Sequence, residues 1–222
     1  IDLSIERGEI VAVVGGSGSG KTVLLNHILG RLDPDQGRVF VADHDMDGAP
    51  LIDLTALDTM ETDRLHTHWG VVFQRNALFS GTVLDNIGLW LSEVLDMEEP
   101  EIIAVARRVL AAVDLPDTDD FMATDVNELS GGMAKRLAVA RALAMDPEVL
   151  FYDEPTTGLD PTTASTMHDL IARTHLAPTR SGKHRTTLIV THDKDLLQRL
   201  QPRTVMLHEG GVFFDGPFAD FE

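Results

Sequence analysis

The sequence contains no cysteine, an absence that excludes disulfide bonds and thiol chemistry and is compatible with a reducing compartment. Aromatic residues are scarce, at 5% of the 222 residues, whereas 43% of the residues are hydrophobic. No apolar run approaches the roughly 20 residues of a membrane-spanning helix, and the first residues lack the basic and apolar regions of a secretory signal. The composition favours one α/β domain with a large core that does not itself cross a bilayer.

Positive charge is also scarce. The chain has 18 lysine and arginine residues against 36 aspartate and glutamate residues, which gives a formal net charge of −18. Such a field repels nucleic acids and anionic lipid headgroups over most of the surface. We therefore expect no nucleic-acid partner, and a bound nucleotide would need a local device to hold its phosphates.

A glycine-rich run between an apolar stretch and a helix-like segment provides such a device. It consists of Gly15, Gly16, Ser17, Gly18, Ser19, Gly20, Lys21 and Thr22. Glycines let backbone N–H groups turn inward around an anion where a Cβ would block its approach. Lys21 is expected to bring a full charge to the β- and γ-phosphates, and Thr22 a hydroxyl ligand for Mg²⁺. The flanking strand and helix disfavour the alternative, an ordinary glycine-rich turn.

Two carboxylates follow a second apolar run. Residues 149–152 lead directly into Asp153 and Glu154. A buried strand of a parallel sheet would carry both acids to its carboxyl edge, beside the glycine-rich run. Asp153 is expected to hold Mg²⁺ through water, and Glu154 to orient and deprotonate the attacking water. Alone, the pattern would fit any strand that ends in an acidic turn.

Three shorter patterns are consistent with the same chemistry. Ser130, Gly131 and Gly132 precede an alanine-rich helix predicted at 133–145, where a hydroxyl and bare N–H groups suit a second anion, although an ordinary N-cap is the alternative. His192 follows an apolar strand predicted at 187–191 and is placed to donate a hydrogen bond to a γ-phosphate. Gln74 ends a short apolar run at 71–73, and its carbonyl oxygen is a candidate ligand for Mg²⁺ or the lytic water.

The remaining pattern predicts an α/β core that is interrupted by helices. Residues 1–14 and 37–42 read as β-structure, and residues 75–145 become helical, with Pro100 in a first turn. One helical face is expected in the core: Ile102, Ala106, Val109, Leu110 and Val113. From residue 149 strands and helices alternate again, with a helix at 161–175 and a final hairpin of 204–207 with 212–214.

Two polar stretches are given no chemistry. Asp43, His44, Asp45 and Asp47 suggest a metal site, but a solvated loop over residues 43–60 is favoured because no further ligands occur at a diagnostic spacing. A second Ser-Gly-Lys at 181–183 is not read as another phosphate loop. Ala177 stands in place of its first glycine, and His184 in place of the final serine or threonine.

These motifs, in this order, resemble the ATP-binding cassette of ABC transporters over essentially the whole chain. The resemblance rests on residues 15–22 (Walker A), Gln74 (Q-loop), 129–133 (signature), 152–154 (Walker B), 158–160 (D-loop) and His192 (H-loop). It implies a RecA-like α/β P-loop NTPase core with an antiparallel β-subdomain, within 1–74 and 146–222, and an inserted helical subdomain at 75–145. It also implies that Asp160 joins the nucleotide-binding residues.

The resemblance implies an ATPase subunit with ATP and Mg²⁺ as cofactors, at the cytoplasmic face of the inner membrane. Lys21, Gln74, Glu154 and His192 would be catalytic, and Thr22, Gln74 and Asp153 would hold the metal. Its partners would be a second copy, in an ATP-dependent head-to-tail dimer, and an integral membrane permease. The permease would dock after Gln74, near residues 76–80, unless Leu78 and Phe79 pack inside the helical subdomain.

A finer resemblance points to lipid transport. Gly131-Gly132-Met133-Ala134 followed by two basic residues is similar to the ATPases of Mla-type phospholipid transport systems. One alternative is an importer ATPase for another small solute. Another is an ABC-type ATPase of DNA repair or translation, which the charge and the lack of coiled-coil insertions disfavour. A degenerate cassette that binds ATP only as a structural switch is disfavoured because Lys21, Asp153, Glu154 and His192 are all present.

Overall fold

The structure is a computed structural model, and it describes residues 1–179, 182 and 184–221. The prediction that residues 181–183 form no second phosphate loop falls on Ser181 and Lys183, which lie outside the described residues. The described strands are β1 (Ile10–Val14), β2 (Phe40–Ala42), β3 (Leu51–Asp53), β4 (Trp69–Val72), β5 (Val149–Asp153), β6 (Thr186–Val190), β7 (Arg203–His208) and β8 (Gly211–Pro217).

The central sheet has the strand order β4-β5-β6-β1-β7-β8. Its pairs are parallel except for β7 with β8, which form an antiparallel hairpin, and β2 pairs separately with β3 in a small antiparallel sheet. The inner strands are nearly continuous runs of β-branched and aliphatic residues, because both of their faces are buried. The parallel register brings the carboxyl ends of β1, β4, β5 and β6 to one edge of the sheet.

Helices cover both faces of this sheet. They are α1 (Lys21–Ile28), α2 (Thr59–His66), α3 (Val83–Glu93), α4 (Glu99–Ala112), α5 (Asp119–Met122), α6 (Gly131–Ala144), α7 (Pro161–Leu176) and α8 (Lys194–Leu200). On one face α3, α4, α6 and α7 share a core with β4, β5 and β6. On the other, α1 and α2 pack with the small sheet. No helix of the described residues has the length and apolarity needed to cross a bilayer.

The predicted core face of α4 is confirmed. Ala106, Val109, Leu110 and Val113 are at most 2% exposed, and Ile102 packs against the same core. Because this core also contains Val72 of β4, the helices of 75–145 are packed onto the sheet rather than around a separate centre. The division of the chain at 75 and 145 stays a prediction.

Two predicted stretches of β-structure are shorter in the structure. Residues 1–9 form no strand, because β1 begins at Ile10 and its neighbours β6 and β7 pair with it only from Ile10 onward. Leu3 and Ile5 still pack against the core, so their apolar alternation reflects burial without strand pairing. The strand predicted at 37–42 is limited to Phe40–Ala42.

The loop predicted at 43–60 is wrong in part. It contains β3, a 3-10 turn at Leu54–Ala56 and the start of α2. Asp58 and Glu61 form a reciprocal capping box that begins α2, a short-range signal that sequence reasoning missed.

Asp43 is not solvated either, since it is only 2% exposed. It accepts hydrogen bonds from Arg64 of α2 at 2.8 and 3.0 Å. These bonds hold the pKa of Asp43 below its usual value.

Candidate active site

The glycine-rich run forms the loop between β1 and α1. A Cβ on Gly15 would lie 2.6 Å from both the Leu207 carbonyl oxygen and Ser19 Oγ. Gly20, which precedes α1, has φ 98°, a conformation that other residues rarely adopt. Gly16, Ser17 and Gly18 are exposed in the same loop. The backbone is therefore bare where a side chain would clash or be strained.

The start of α1 is open to an anion. Gly20 offers no side-chain cap, and no acidic residue lies in the first turn. Ser19 Oγ is buried without a hydrogen-bond partner among the described residues. Lys21 folds back over the loop, and its Nζ donates to the carbonyl oxygens of Gly15 at 2.8 Å and Gly16 at 3.1 Å. Free N–H groups, an unpaired hydroxyl and an ammonium at the positive end of a helix fit a triphosphate.

The carboxylates lie at the predicted edge of the sheet. Asp153 ends β5 and is half-buried. Burial, and then the charge of Glu154, raise the pKa of Asp153, whereas Lys135 and Lys21 act against that rise. These electrostatic interactions link Asp153 to the glycine loop through Lys21.

Glu154 and His192 meet although they follow different strands. His192 Nδ1 lies 2.7 Å from Glu154 Oε2, with the imidazole 70% exposed and the glutamate side chain only 13% exposed. Glu154 has a left-handed φ of 48°, and its N–H donates to the Val190 carbonyl oxygen at 2.8 Å. The structure therefore joins the expected base to an imidazole that faces solvent.

The expected metal ligands suit Mg²⁺ in chemical type. Thr22, Gln74 and Asp153 offer a hydroxyl, an amide and one carboxylate, and both Thr22 and Gln74 are exposed. Mg²⁺ commonly takes one or two carboxylates and fills its remaining positions with substrate phosphates and water. In the described part of the chain, no cluster of three or more histidine, aspartate or glutamate side chains could hold a metal by itself.

The second glycine motif begins α6. Ser130 caps this helix and accepts a hydrogen bond from the Met133 N–H at 3.3 Å, so the N-cap alternative describes its side chain correctly. Gly131 is exposed, and Gly132 lies against α7, where its Cβ would be 2.7 Å from Thr163 Cγ2.

Asp160 lies at the start of α7. Its carboxylate accepts hydrogen bonds from the side chain and backbone of Thr163, which lower its pKa. Within the described residues, no hydrogen bond or ion pair joins Asp160 or Ser130 to the glycine loop of the same chain.

Sequence reasoning missed two groups of residues near these motifs. Lys135 of α6 is 3% exposed, and its Nζ donates to the Gln74 carbonyl oxygen at 2.8 Å. Asp193 accepts hydrogen bonds from Thr156 at 2.7 Å and His168 at 2.9 Å, next to His192. The alanine-rich helix around Lys135 was a local signal that this lysine is buried, whereas the partners of Asp193 are distant in sequence.

Comparison with known proteins agrees with this geometry. The family model described as ABC transporter matches residues 1–157. The dimeric structure of a post-hydrolysis state of the ATP-binding cassette MJ0796 bound to ADP and Pi has a TM-score of 0.80 and 32% identity, and covers 97% of this chain and 88% of that chain. The predicted P-loop fold, with its small antiparallel sheet and helical insertion, is confirmed, as is the expectation of an ABC ATPase domain.

Three curated relatives have different names. TRIGALACTOSYLDIACYLGLYCEROL 3, chloroplastic, of Arabidopsis thaliana is 36% identical over 100% of this chain and 64% of its own length. The L-cystine transport system ATP-binding protein TcyN of Escherichia coli is 36% identical over 100% of this chain and 86% of its own. The intermembrane phospholipid transport system ATP-binding protein MlaF of Haemophilus influenzae is 33% identical over 97% of this chain and 76% of its own. The chain thus spans less than two thirds of the plant relative.

Proposed function

We propose that this chain, which belongs to the ABC transporter family, binds and hydrolyses ATP and thereby energises a separate membrane permease. The observation that carries the proposal is the 2.7 Å contact between His192 and Glu154. It lies next to Asp153, at the edge of the sheet where the glycine loop begins. A fixed carboxylate base beside a metal-type carboxylate is suited to activating water for phosphoryl transfer.

The proposed mechanism assigns one task to each part of this edge. Lys21 and the open start of α1 would hold the phosphates, and Thr22, Gln74 and Asp153 would hold Mg²⁺. The cation, when bound, neutralises negative charge on the phosphate oxygens. Lys21 and Lys135 favour the ionised Asp153 carboxylate that a cation needs, against the effect of burial on its pKa. Glu154 accepts a proton from water while His192 holds its carboxylate in place.

We place the second glycine motif and Asp160 in a site shared between two copies. Ser130, Gly131 and Gly132 offer an anion-directed helix start that the chain's own glycine loop does not contact in the described structure. A head-to-tail pair would bring this motif to the partner's triphosphate and complete two sites at once. The MJ0796 cassette, a dimeric structure at 32% identity, supports the pairing of two copies.

The permease would dock in a groove beside the end of β4. This groove encloses about 750 Å³ and includes Phe73, Phe79, Trp90, Val94 and Arg141 in its lining. Phe79 and Trp90 are 44% and 52% exposed, whereas Leu78 packs against the core. Leu78 therefore fits packing inside the helical subdomain, whereas Phe79 is exposed enough to contact a permease. Docking here would hold the chain at the cytoplasmic face of the inner membrane.

For the transported substrate we propose a phospholipid. The Gly131–Ala134 sequence with its two basic residues supports this, as does the phospholipid relative MlaF at 33% identity. The cystine relative at 36% identity supports the alternative of a small solute. Purification with the permease from detergent extracts, followed by mass spectrometry of bound lipid, decides between them. Bound amino acid without lipid would exclude the lipid assignment.

Hydrolysis is tested by Glu154→Gln. The amide keeps the shape of the side chain but cannot accept the proton from water, so Mg·ATP binding should remain while phosphate release falls at least about a hundredfold. Binding is measured by calorimetry and release by a phosphate assay. Turnover of Glu154→Gln at the wild-type rate would exclude Glu154 as the base. If the wild-type chain itself showed no turnover, the alternative of a cassette that binds ATP only as a structural switch would remain.

A further inference from the structure

Lys135 is a buried cation on the helix that begins with the Ser-Gly-Gly motif. Its side chain is 3% exposed, whereas lysines are almost never fully buried without a partner. No described carboxylate lies within ion-pair distance of its ammonium. Its Nζ donates instead to backbone carbonyl oxygens, that of Gln74 at 2.8 Å and that of Phe73 at 3.4 Å. The ammonium therefore ties α6 to the point where β4 ends.

A second cation of α6 extends this attachment. Arg141 donates to the carbonyl oxygens of Asn76 at 3.1 Å and Ala77 at 2.7 Å. Ala77 has φ 49°, a strained conformation that persists only where its surroundings hold it. Helix α6 thus binds four backbone carbonyl oxygens of the segment 73–77. Lys135 binds the first two, and Arg141 binds the last two.

Lys135 also interacts electrostatically with Asp153 at the catalytic edge. Burial lowers the pKa of Lys135, and the charge of Asp153 acts in the opposite direction. The charges of both Lys135 and Lys21 in turn act to lower the pKa of Asp153. The ammonium thus holds the backbone of Gln74 by a hydrogen bond and interacts through its charge with Asp153.

We propose that Lys135 is a positioning residue that fixes Gln74 relative to Asp153 and transmits the position of the Ser130–Gly132 helix start to them. This inference rests on the proposed function, because it assigns Gln74 and Asp153 to the metal and the lytic water. A helix that shifts when its N-terminus meets a phosphate must carry Lys135 with it, since α6 is continuous from Gly131 to Ala144. The backbone of Gln74, which Lys135 holds through its carbonyl oxygen, would move with the helix.

Lys135→Met tests this, because methionine keeps the length and apolar stem but has no donor. We expect kcat for Mg·ATP to fall about tenfold or more and the Mg²⁺ concentration for half-maximal rate to rise about fivefold or more. The KM for ATP should change less than about threefold, because the glycine loop is untouched. Amide hydrogen exchange should increase in peptides covering 73–78 and stay unchanged in peptides covering 15–22.

Arg136→Met is the matched control. Arg136 is the next cation of the same helix, but it donates to the Asp114 carbonyl oxygen at 2.8 Å, on another segment. The Arg136→Met variant should keep kcat and the Mg²⁺ dependence within about twofold of wild type. Equal losses in both variants would mean that only helix stability is involved, and would overturn the inference.

Lys135→Arg covers the case in which Lys135→Met does not fold. Guanidinium keeps cationic donors, so this variant should retain most of kcat. A folded Lys135→Arg without activity, or a Lys135→Met with wild-type kcat, Mg²⁺ dependence and exchange, would exclude the positioning role. If the wild-type chain itself does not hydrolyse ATP, the proposed function fails instead, and the exchange experiment still decides whether Lys135 fixes the segment.

Discussion

Glu154 shows how backbone strain and side-chain placement combine at one residue. Its φ of 48° is uncommon for a residue with a Cβ and costs on the order of 1 kcal/mol. The strained turn lets its N–H bond to Val190 while its carboxylate reaches His192. The sequence predicted both residues as functional because each follows a buried strand. It could not predict their contact, which depends on that φ.

Lys21 provides the sharpest test at the residue scale. Lys21→Ala removes the ammonium that lies over Gly15 and Gly16, so ATP should bind at least about tenfold more weakly, the loss of one charge-assisted hydrogen bond. Arg108→Ala is the control, since it removes the same charge from an exposed position on α4. Calorimetric titration with Mg·ATP measures both. Unchanged affinity in Lys21→Ala would contradict the assignment of the glycine loop.

At the scale of elements, long patterns were predicted and short ones were missed. The continuous apolar run of β5 and the core face of α4 each contain enough residues to show their period. Strand β3 has three residues, and Ile52 at its centre is held by packing against the core around α1. Helix α2 buries only Leu65 and depends on its capping box. Such elements are stabilised by tertiary contacts that leave little periodicity in the sequence.

The attachment of the 43–45 loop to α2 is testable through Asp43. Asp43→Asn should lower the free energy of unfolding by about 1–2 kcal/mol, because Arg64 loses its buried partner although its own side chain is 43% exposed. Asp47→Asn, an exposed change in the same connection between β2 and β3, should have almost no effect. Urea unfolding at pH 7 compares the two. Equal midpoints would show that the ion pair contributes nothing.

The same pair predicts a pH dependence. The pKa of folded Asp43 lies below its ordinary value of 3.8, because Arg64 stabilises the carboxylate. The stabilisation is therefore fully present above about pH 5 and is lost as the pH falls through the folded pKa. The difference between wild type and Asp43→Asn should narrow as the pH falls below 4. A difference that grows in acid would contradict this sign.

The groove beside β4 is tested by Phe79→Asp. The aromatic ring is 44% exposed with Arg141 5.3 Å from its centroid, so a carboxylate here faces solvent and a cation, and the isolated chain should stay folded with nearly intact ATPase. Against an apolar permease helix the same charge would be buried, so co-purification and transport should be lost. Phe213→Asp, on the 72% exposed Phe213 of β8, is the control. Unfolding of Phe79→Asp, or full recovery with the permease, would exclude the groove.

At the scale of the whole molecule, the parallel sheet explains why the site could be predicted at all. The carboxyl ends of parallel strands share one edge, so residues that end separate apolar runs were expected together. Lys135 and His168 could not be found in this way, because their partners lie on other elements at distances that local patterns do not encode. Charge is the other global property. Each copy carries a net charge of −18, so electrostatic repulsion opposes the association of two copies, and salt should screen this repulsion.

The shared site predicts complementation between two defective chains. In a Glu154→Gln background, Lys21→Ala removes the glycine-loop cation and Ser130→Phe blocks the opposing motif, so neither chain alone can complete a site. A mixture completes one site per pair, built from the glycine loop of the Ser130→Phe chain and the motif of the Lys21→Ala chain. Light scattering with excess Mg·ATP should show monomers for each variant alone and dimers for the mixture, with one retained nucleotide per dimer and more dimer at higher salt. If the mixture stays monomeric while Glu154→Gln alone dimerises, or if either double variant dimerises by itself, the head-to-tail arrangement is wrong.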